Sequence, residues 1–144
     1  MKGRKTREIS ENGGITMGSC KNGSEFLPVT AERLIDWREP NGEGCIVSDR
    51  ITREGFRVGY LYREPPMAGR PDSGWRFLAG NEEEAYLNDP RNHHVFTLNT
   101  VCNYDRDILP FLHAKIGSAF LRTGPRRLEA DDGTQAIFVE RQER

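Results

Sequence analysis

Three sets of side chains have the types and spacing to do chemistry: His93-His94 with His113, the cysteines Cys20, Cys45 and Cys102, and the acidic runs Glu82-Glu83-Glu84 and Asp105-Arg106-Asp107. Neighbouring histidines suggest a metal. Successive residues of a strand point to opposite faces, however, and no HxH, HExxH or paired CxxC accompanies them. A solvated loop pair is the better reading. Asp105-Arg106-Asp107 begins like a calcium loop, but Leu109 and Pro110 stand where an oxygen ligand and the tight-turn glycine belong. Turn and cap roles suit those aspartates better. Cys45 and Cys102 fall inside strand patterns, where cysteine behaves as a small buried hydrophobe. Cys–His catalysis would need the fold to bring in His94 or His113. There is no GxSxG elbow, P-loop or GxGxxG, and Asp49, Glu54 and Glu64 read as polar-face carboxylates. No catalytic residue, metal or cofactor is therefore assigned.

The frame that must position any site is a chain of 144 residues, enough for one domain with its own core. Charged residues make up 30%, mean hydropathy is −0.72, and no apolar run approaches the ~20 residues needed to cross a bilayer. A membrane role is excluded on this reading. Net charge is −1, and the charge is even along the chain. Residues 1–44 carry seven basic and seven acidic side chains, 45–110 eight and ten, and 111–144 six and five. No stretch has the basic excess that drives counterion release, which argues against a nucleic-acid partner. The three cysteines are odd in number and unclustered, and Thr6 to Asn12 supplies no signal-peptide apolar core. These features predict free thiols and a cytoplasmic protein.

Residues 1–25 are polar and predict a flexible N-terminal tail, with Asn22-Gly23-Ser24 a chance sequon. Residues 26–43 form a lead-in, with a short helix from Thr30 that puts Ala31, Leu34 and Ile35 on one face. Cys45–Ile51 and Phe56–Arg63 read as two strands of an antiparallel hairpin around Thr52–Gly55. Pro65–Pro71 must be a loop. Ser73–Gly80 is the next strand, and Asn81 is expected to cap a helix with Glu84 as its capping-box partner. A strand over His94–Cys102, a short helix capped by Asp107, and strands at Gly117–Leu121 and Thr134–Glu140 follow, with Asp131-Asp132-Gly133 a turn. The class predicted is α+β: a single domain with a mostly antiparallel sheet and two or three short helices.

Five ordered blocks then carry a resemblance. They are Cys45-Ile46-Val47-Ser48-Asp49-Arg50-Ile51, Val58-Gly59-Tyr60-Leu61-Tyr62-Arg63-Glu64, Asp72-Ser73-Gly74-Trp75-Arg76-Phe77-Leu78-Ala79-Gly80, Leu98-Asn99-Thr100-Val101-Cys102-Asn103-Tyr104-Asp105 and Gly117-Ser118-Ala119-Phe120. The series resembles the bacterial immunity protein family numbered thirty-three, formerly a domain of unknown function. The resemblance implies a small α+β cytosolic protein that binds and neutralises a polymorphic toxin. It carries over no catalytic residue. The chain departs from the family in its proline-rich Pro65–Pro71 and in Arg106, a position where proline is common. The layout becomes a tail (1–25), a lead-in (26–43), an immunity-protein-like core (44–124) and a C-terminal hairpin or extension (125–144).

Two functions compete. A non-catalytic inhibitor would bind its cognate toxin through the Pro65–Pro71 loop and the acidic helix start, using Pro66, Arg70, Asp72, Arg76, Glu82, Glu83 and Glu84. The alternative is a cytosolic enzyme or small-molecule-binding domain of another type. It would use the aromatic set Tyr60, Tyr62, Trp75 and Phe77 beside Asp72 and Arg76. A large pocket lined by Trp75, Tyr60 or Tyr62, or a deep one containing Cys102 or a histidine, would favour the alternative, and a filled sheet face without a pocket the inhibitor.

Overall fold

The computed structural model describes residues 25–131. The calls for a tail over residues 1–24, for the turn beyond Asp131 and for a strand at Thr134–Glu140 lie outside them, as does Cys20. Within them the chain forms strands β1 (Gly44–Ser48), β2 (Tyr60–Arg63), β3 (Trp75–Leu78), β4 (His93–Thr97), β5 (Ala119–Gly124) and β6 (Arg127–Ala130). The short helices are α1 (Asp49–Thr52), α2 (Glu84–Leu87) and α3 (Leu98–Tyr104), with 3₁₀ turns at Pro90–Asn92 and Arg106–Phe111. The strands form one sheet in the order β4-β1-β3-β2-β5-β6. Every neighbouring pair is antiparallel except β1 and β3, which run parallel with Ile46 opposite Arg76 and Val47 opposite Phe77. The class is α+β and the sheet is mixed.

The parallel pair overturns the expected hairpin. Ser48 ends β1 by turning its hydroxyl to accept from the Arg50 amide at 3.2 Å, and α1 begins there instead of a tight turn. The chain then travels to the far side of β3 before β2 starts. Val58 is held on the way by donating its N–H to Asp105 Oδ2 at 2.9 Å.

The strand expected over His94–Cys102 breaks at Thr97. Its hydroxyl accepts from the Thr100 amide at 3.2 Å and opens α3. Leu98 and Cys102 are four apart, a spacing that fits one face of a strand or of a helix, and Val101 between them decides it. All three are buried.

No helix forms at Thr30. The backbone there is bound from the side: Asn99 Oδ1 accepts from Leu34 N at 2.8 Å and Ile35 N at 3.2 Å. Asn99 and Asn103 each donate to the Glu32 carbonyl at 2.9 Å. Two asparagines of α3 thus take over the hydrogen bonds a helix would have used.

The core lies between one face of the sheet and α3 with its following 3₁₀ turn. Cys45, Val47, Leu61, Trp75 and Phe77 meet Leu98, Val101, Cys102, Ile108 and Leu112 there. Trp75 is fully buried, and its indole N–H donates to the Leu112 carbonyl at 2.9 Å. Tyr60 and Tyr62 alternate with Leu61 and so face the other way, where Tyr62 sits opposite Arg76 and Tyr60 opposite Leu78. The aromatic set expected to share a face is therefore split by the sheet itself.

Candidate partner-binding surface

The connection between β2 and β3 is built around one carboxylate. Asp72 Oδ1 and Oδ2 each accept from Arg76 at 2.9 Å, a two-pronged pair with both side chains about 5% exposed. The same carboxylate accepts from the Met67 amide at 2.7 Å and the Gly74 amide at 3.0 Å, tying the proline-rich loop to the strand. Glu64 Oε2 takes the remaining edge of the guanidinium at 2.6 Å. The Arg76 hydrogen bond holds the Asp72 carboxyl well below the usual carboxylate range, against burial, which pulls upward. Burial pulls the Arg76 guanidinium down, but hydrogen bonds to Asp72 and Glu64 outweigh it and raise its pKa. Gly74 is needed here. Its φ is +92°, and a Cβ would lie 2.1 Å from the Glu64 carbonyl oxygen.

Of the residues expected to meet a partner, Asp72 and Arg76 come together inside this network, while Pro66 is half-buried and Arg70 exposed on the loop they pin. Glu82 turns back, accepting from the Ala79 amide at 2.7 Å and the Gly80 amide at 2.9 Å. That replaces the expected Asn81 capping box. Glu83 occupies the cap position of α2 without a side-chain cap bond, and Glu84 opens the helix; both are exposed. Arg50 lies 3.8 Å from Glu83 and stacks on the Tyr86 ring at 4.5 Å.

His93 and His94 are on edge strand β4 rather than in a loop, and His113 lies apart from them, stacked on Trp37. His94 Nδ1 is 2.7 Å from Asp49 Oδ1, and His93 Nε2 is 3.2 Å from the Leu87 carbonyl. Both histidines line a shallow depression of about 500 Å³, with Ile46, Leu87, Pro90 and Val95 as its apolar wall. Trp75, Tyr60 and Tyr62 do not line it. Among the described residues no group of three or more His, Cys, Asp or Glu side chains could hold a metal, and no helix is long and apolar enough to cross a membrane. Cys102 lies on a helix, not a strand. Burial pushes its thiol up to about 12 and raises that of Cys45 as well, so neither has thiolate character.

Sequence reasoning overlooked a second ionic centre. Asp105, rather than Asp107, caps the 3₁₀ turn, accepting from the Asp107 amide at 3.0 Å. Arg122 then pairs with Asp105 at 2.9 Å and Asp107 at 3.0 Å, and donates to the Val58 carbonyl at 2.8 Å. Buried Arg63 is a third case, reaching Glu39 at 2.5 Å and the carbonyls of Ser73 and Ala114. Arg63 alternates with Tyr62 in the sequence, and that spacing was the available signal that it faces the core. These buried ions join segments distant in sequence, which is a structural use. What remains at the surface is a pinned loop and an acidic helix start.

A family model, the Immunity protein Imm33 domain, matches residues 45–129. The match covers more than half of the chain, and the chain belongs to that immunity protein family. Comparison with curated proteins and with solved structures returns no match.

Proposed function

We propose that this protein is a non-catalytic immunity protein that acts in the cytoplasm by binding a cognate bacterial toxin. The observation that carries the reading is the family match over residues 45–129, which spans the sheet and its packed helices. The use of the polar side chains supports it. Asp72 with Arg76, Asp105 with Arg122, and Arg63 with Glu39 are spent on holding segments together. The two cysteines described are buried, and burial raises the pKa of both thiols.

In this reading Pro66 and Arg70 on the loop, with Glu83 and Glu84 at α2, touch the toxin. Asp72, Arg76 and Glu82 keep those elements in shape. Carboxylates at the edge of an interface speed docking onto a cationic surface and matter less for its final strength. The test is co-expression with the toxin encoded beside this gene. Cells carrying both should survive, and the two proteins should co-purify. Failure to rescue or to co-purify contradicts the reading. Within that assay, the triple change of Glu82, Glu83 and Glu84 to lysine should slow association. Unchanged binding would remove α2 from the surface.

A further inference from the structure

Residues 26–39 run over the surface of the domain without joining any helix or strand. Between residues 28 and 38 no main-chain group bonds to another main-chain group among the described residues. The segment is gripped instead by side chains of α3. The Asn99 amide works as a peptide unit would. Its Oδ1 accepts from the Leu34 and Ile35 amides at 2.8 and 3.2 Å, and its Nδ2 donates to the Glu32 carbonyl at 2.9 Å. Asn103, one turn further along the same helix face, also donates to that carbonyl at 2.9 Å. All of these bonds address main-chain atoms, so they hold an extended peptide whatever its side chains.

The side chains of the segment alternate as they do in a bound strand. Ile35, Trp37 and Glu39 are half-buried against the body, while Asp36, Arg38 and Pro40 are exposed. Leu34 and Ile35 pack against the core. Trp37 stacks on His113, with centroids 5.1 Å and planes 13° apart, and its ring centroid lies 5.4 Å from the Arg63 guanidinium. Glu39 supplies a carboxylate to Arg63, whose side chain is 6% exposed and whose other hydrogen bonds go to the carbonyls of Ser73 and Ala114. At the other end of the segment Glu32 pairs with Arg106. The body thus offers an arginine at each end and an amide clamp beside them, and the segment brings a glutamate to each arginine.

We infer that the domain carries a site for an extended acidic peptide, formed by Asn99, Asn103, Arg106, Arg63 and His113, and that residues 32–39 occupy it as a built-in ligand. The contacts set the ligand class. It has an extended main chain, an aliphatic residue, an aromatic one two positions on and a carboxylate two further, with a second carboxylate at its front. The occupant lies outside the residues that the family model matches, and every residue of the site lies inside them. Site and ligand therefore have separate places in the chain. A short tether holds the occupant at an effective concentration of about millimolar, so the same peptide offered separately competes poorly until the tethered copy is weakened. The site needs no toxin to be tested and stands apart from the immunity reading.

The test uses the full chain and a fluorescent peptide with the sequence of residues 30–40, followed by anisotropy. The wild-type chain should bind it weakly. The double variant Trp37→Ala with Glu39→Ala loosens the tethered occupant and leaves the site intact, and should bind the peptide at least about tenfold more tightly. A peptide carrying the same two substitutions should lose that binding. Adding Asn99→Ala to the double variant removes three hydrogen bonds to the segment and should weaken binding by about tenfold or more. Circular dichroism follows the fold throughout. A folded double variant that binds the peptide no more tightly than the wild type does, or no more tightly than it binds the substituted peptide, overturns the inference. Unchanged affinity after Asn99→Ala overturns it too. So does a double variant that is unfolded and stays unfolded with the peptide present, because residues 32–39 would then be part of the fold and not a ligand. Refolding of that variant by the peptide would support the site.

Discussion

Replacing Asp72 by asparagine removes one negative charge and turns one of two accepting oxygens into a donor, and the structure sets what that change is worth. The Met67 amide donates to Oδ2 and the Gly74 amide to Oδ1, so asparagine keeps an acceptor for only one of them and cannot accept both prongs of Arg76. The guanidinium is about 5% exposed and is left with Glu64 as its one carboxylate, beside the Trp75 carbonyl. Breaking a buried ion pair costs about 3–5 kcal/mol; Glu64 still balances part of the charge, so the expected loss is about 3 kcal/mol. For a domain of this size that lowers Tm by roughly 10 °C or more.

The effect must also depend on pH in a defined direction. The folded-state carboxyl titrates well below its ordinary 3.8, so between those two values the unfolded chain binds the extra proton. The contribution is complete above about pH 5 and drains away as the pH falls below about 4. Urea unfolding followed by circular dichroism at pH 7, 5, 4 and 3 measures both quantities. The wild type should lose stability more steeply than Asp72→Asn over the acid limb, and the gap between the two curves should narrow. A loss below about 1 kcal/mol at pH 7, or parallel curves down to pH 3, would refute the argument.

Gly74→Ala should cost about 3 kcal/mol or more in urea unfolding, because its positive φ and the nearby Glu64 carbonyl both exclude a methyl group. Trp75→Phe should cost about 2 kcal/mol, since it strands the Leu112 carbonyl and leaves a void; the same titration checks it. Cys45 and Cys102 should stay unlabelled by iodoacetamide at pH 8 until the chain is unfolded, as peptide mass spectrometry would show.

The class of fold was legible because strand patterning survives wherever one face is buried. Trp75 and Phe77 alternate with Arg76 and Leu78, and Phe120 marks β5 in the same way. Connectivity was not legible. Ser48 reads equally as the last residue of a strand and as a helix cap, and the choice depends on β3 entering between β1 and β2. The stretch from Leu98 to Cys102 satisfied two periods at once, and the cap at Thr97 resolved it. Thr30 to Ile35 failed as a helix because Asn99 and Asn103, more than sixty residues away, bind its backbone. The candidate surface was half legible. The loop falls where it was expected, but the acidic helix opens at Glu84 rather than after Asn81, and Asp72 and Arg76 turned inward on each other. The sheet face that separates Tyr62 from Trp75 needed the register of four strands to be known.

The central claim is that this chain neutralises its toxin by occupying it rather than by transforming anything, and stoichiometry tests it most directly. Increasing amounts of the chain are added to a fixed amount of the neighbouring-gene toxin, and residual toxin activity is followed until it stops changing. Occupancy predicts a linear fall that reaches zero at a fixed whole-number ratio, with both proteins recovered at unchanged mass. Complete loss of activity at a small fraction of an equivalent, continuing with time, would mean turnover and would contradict it.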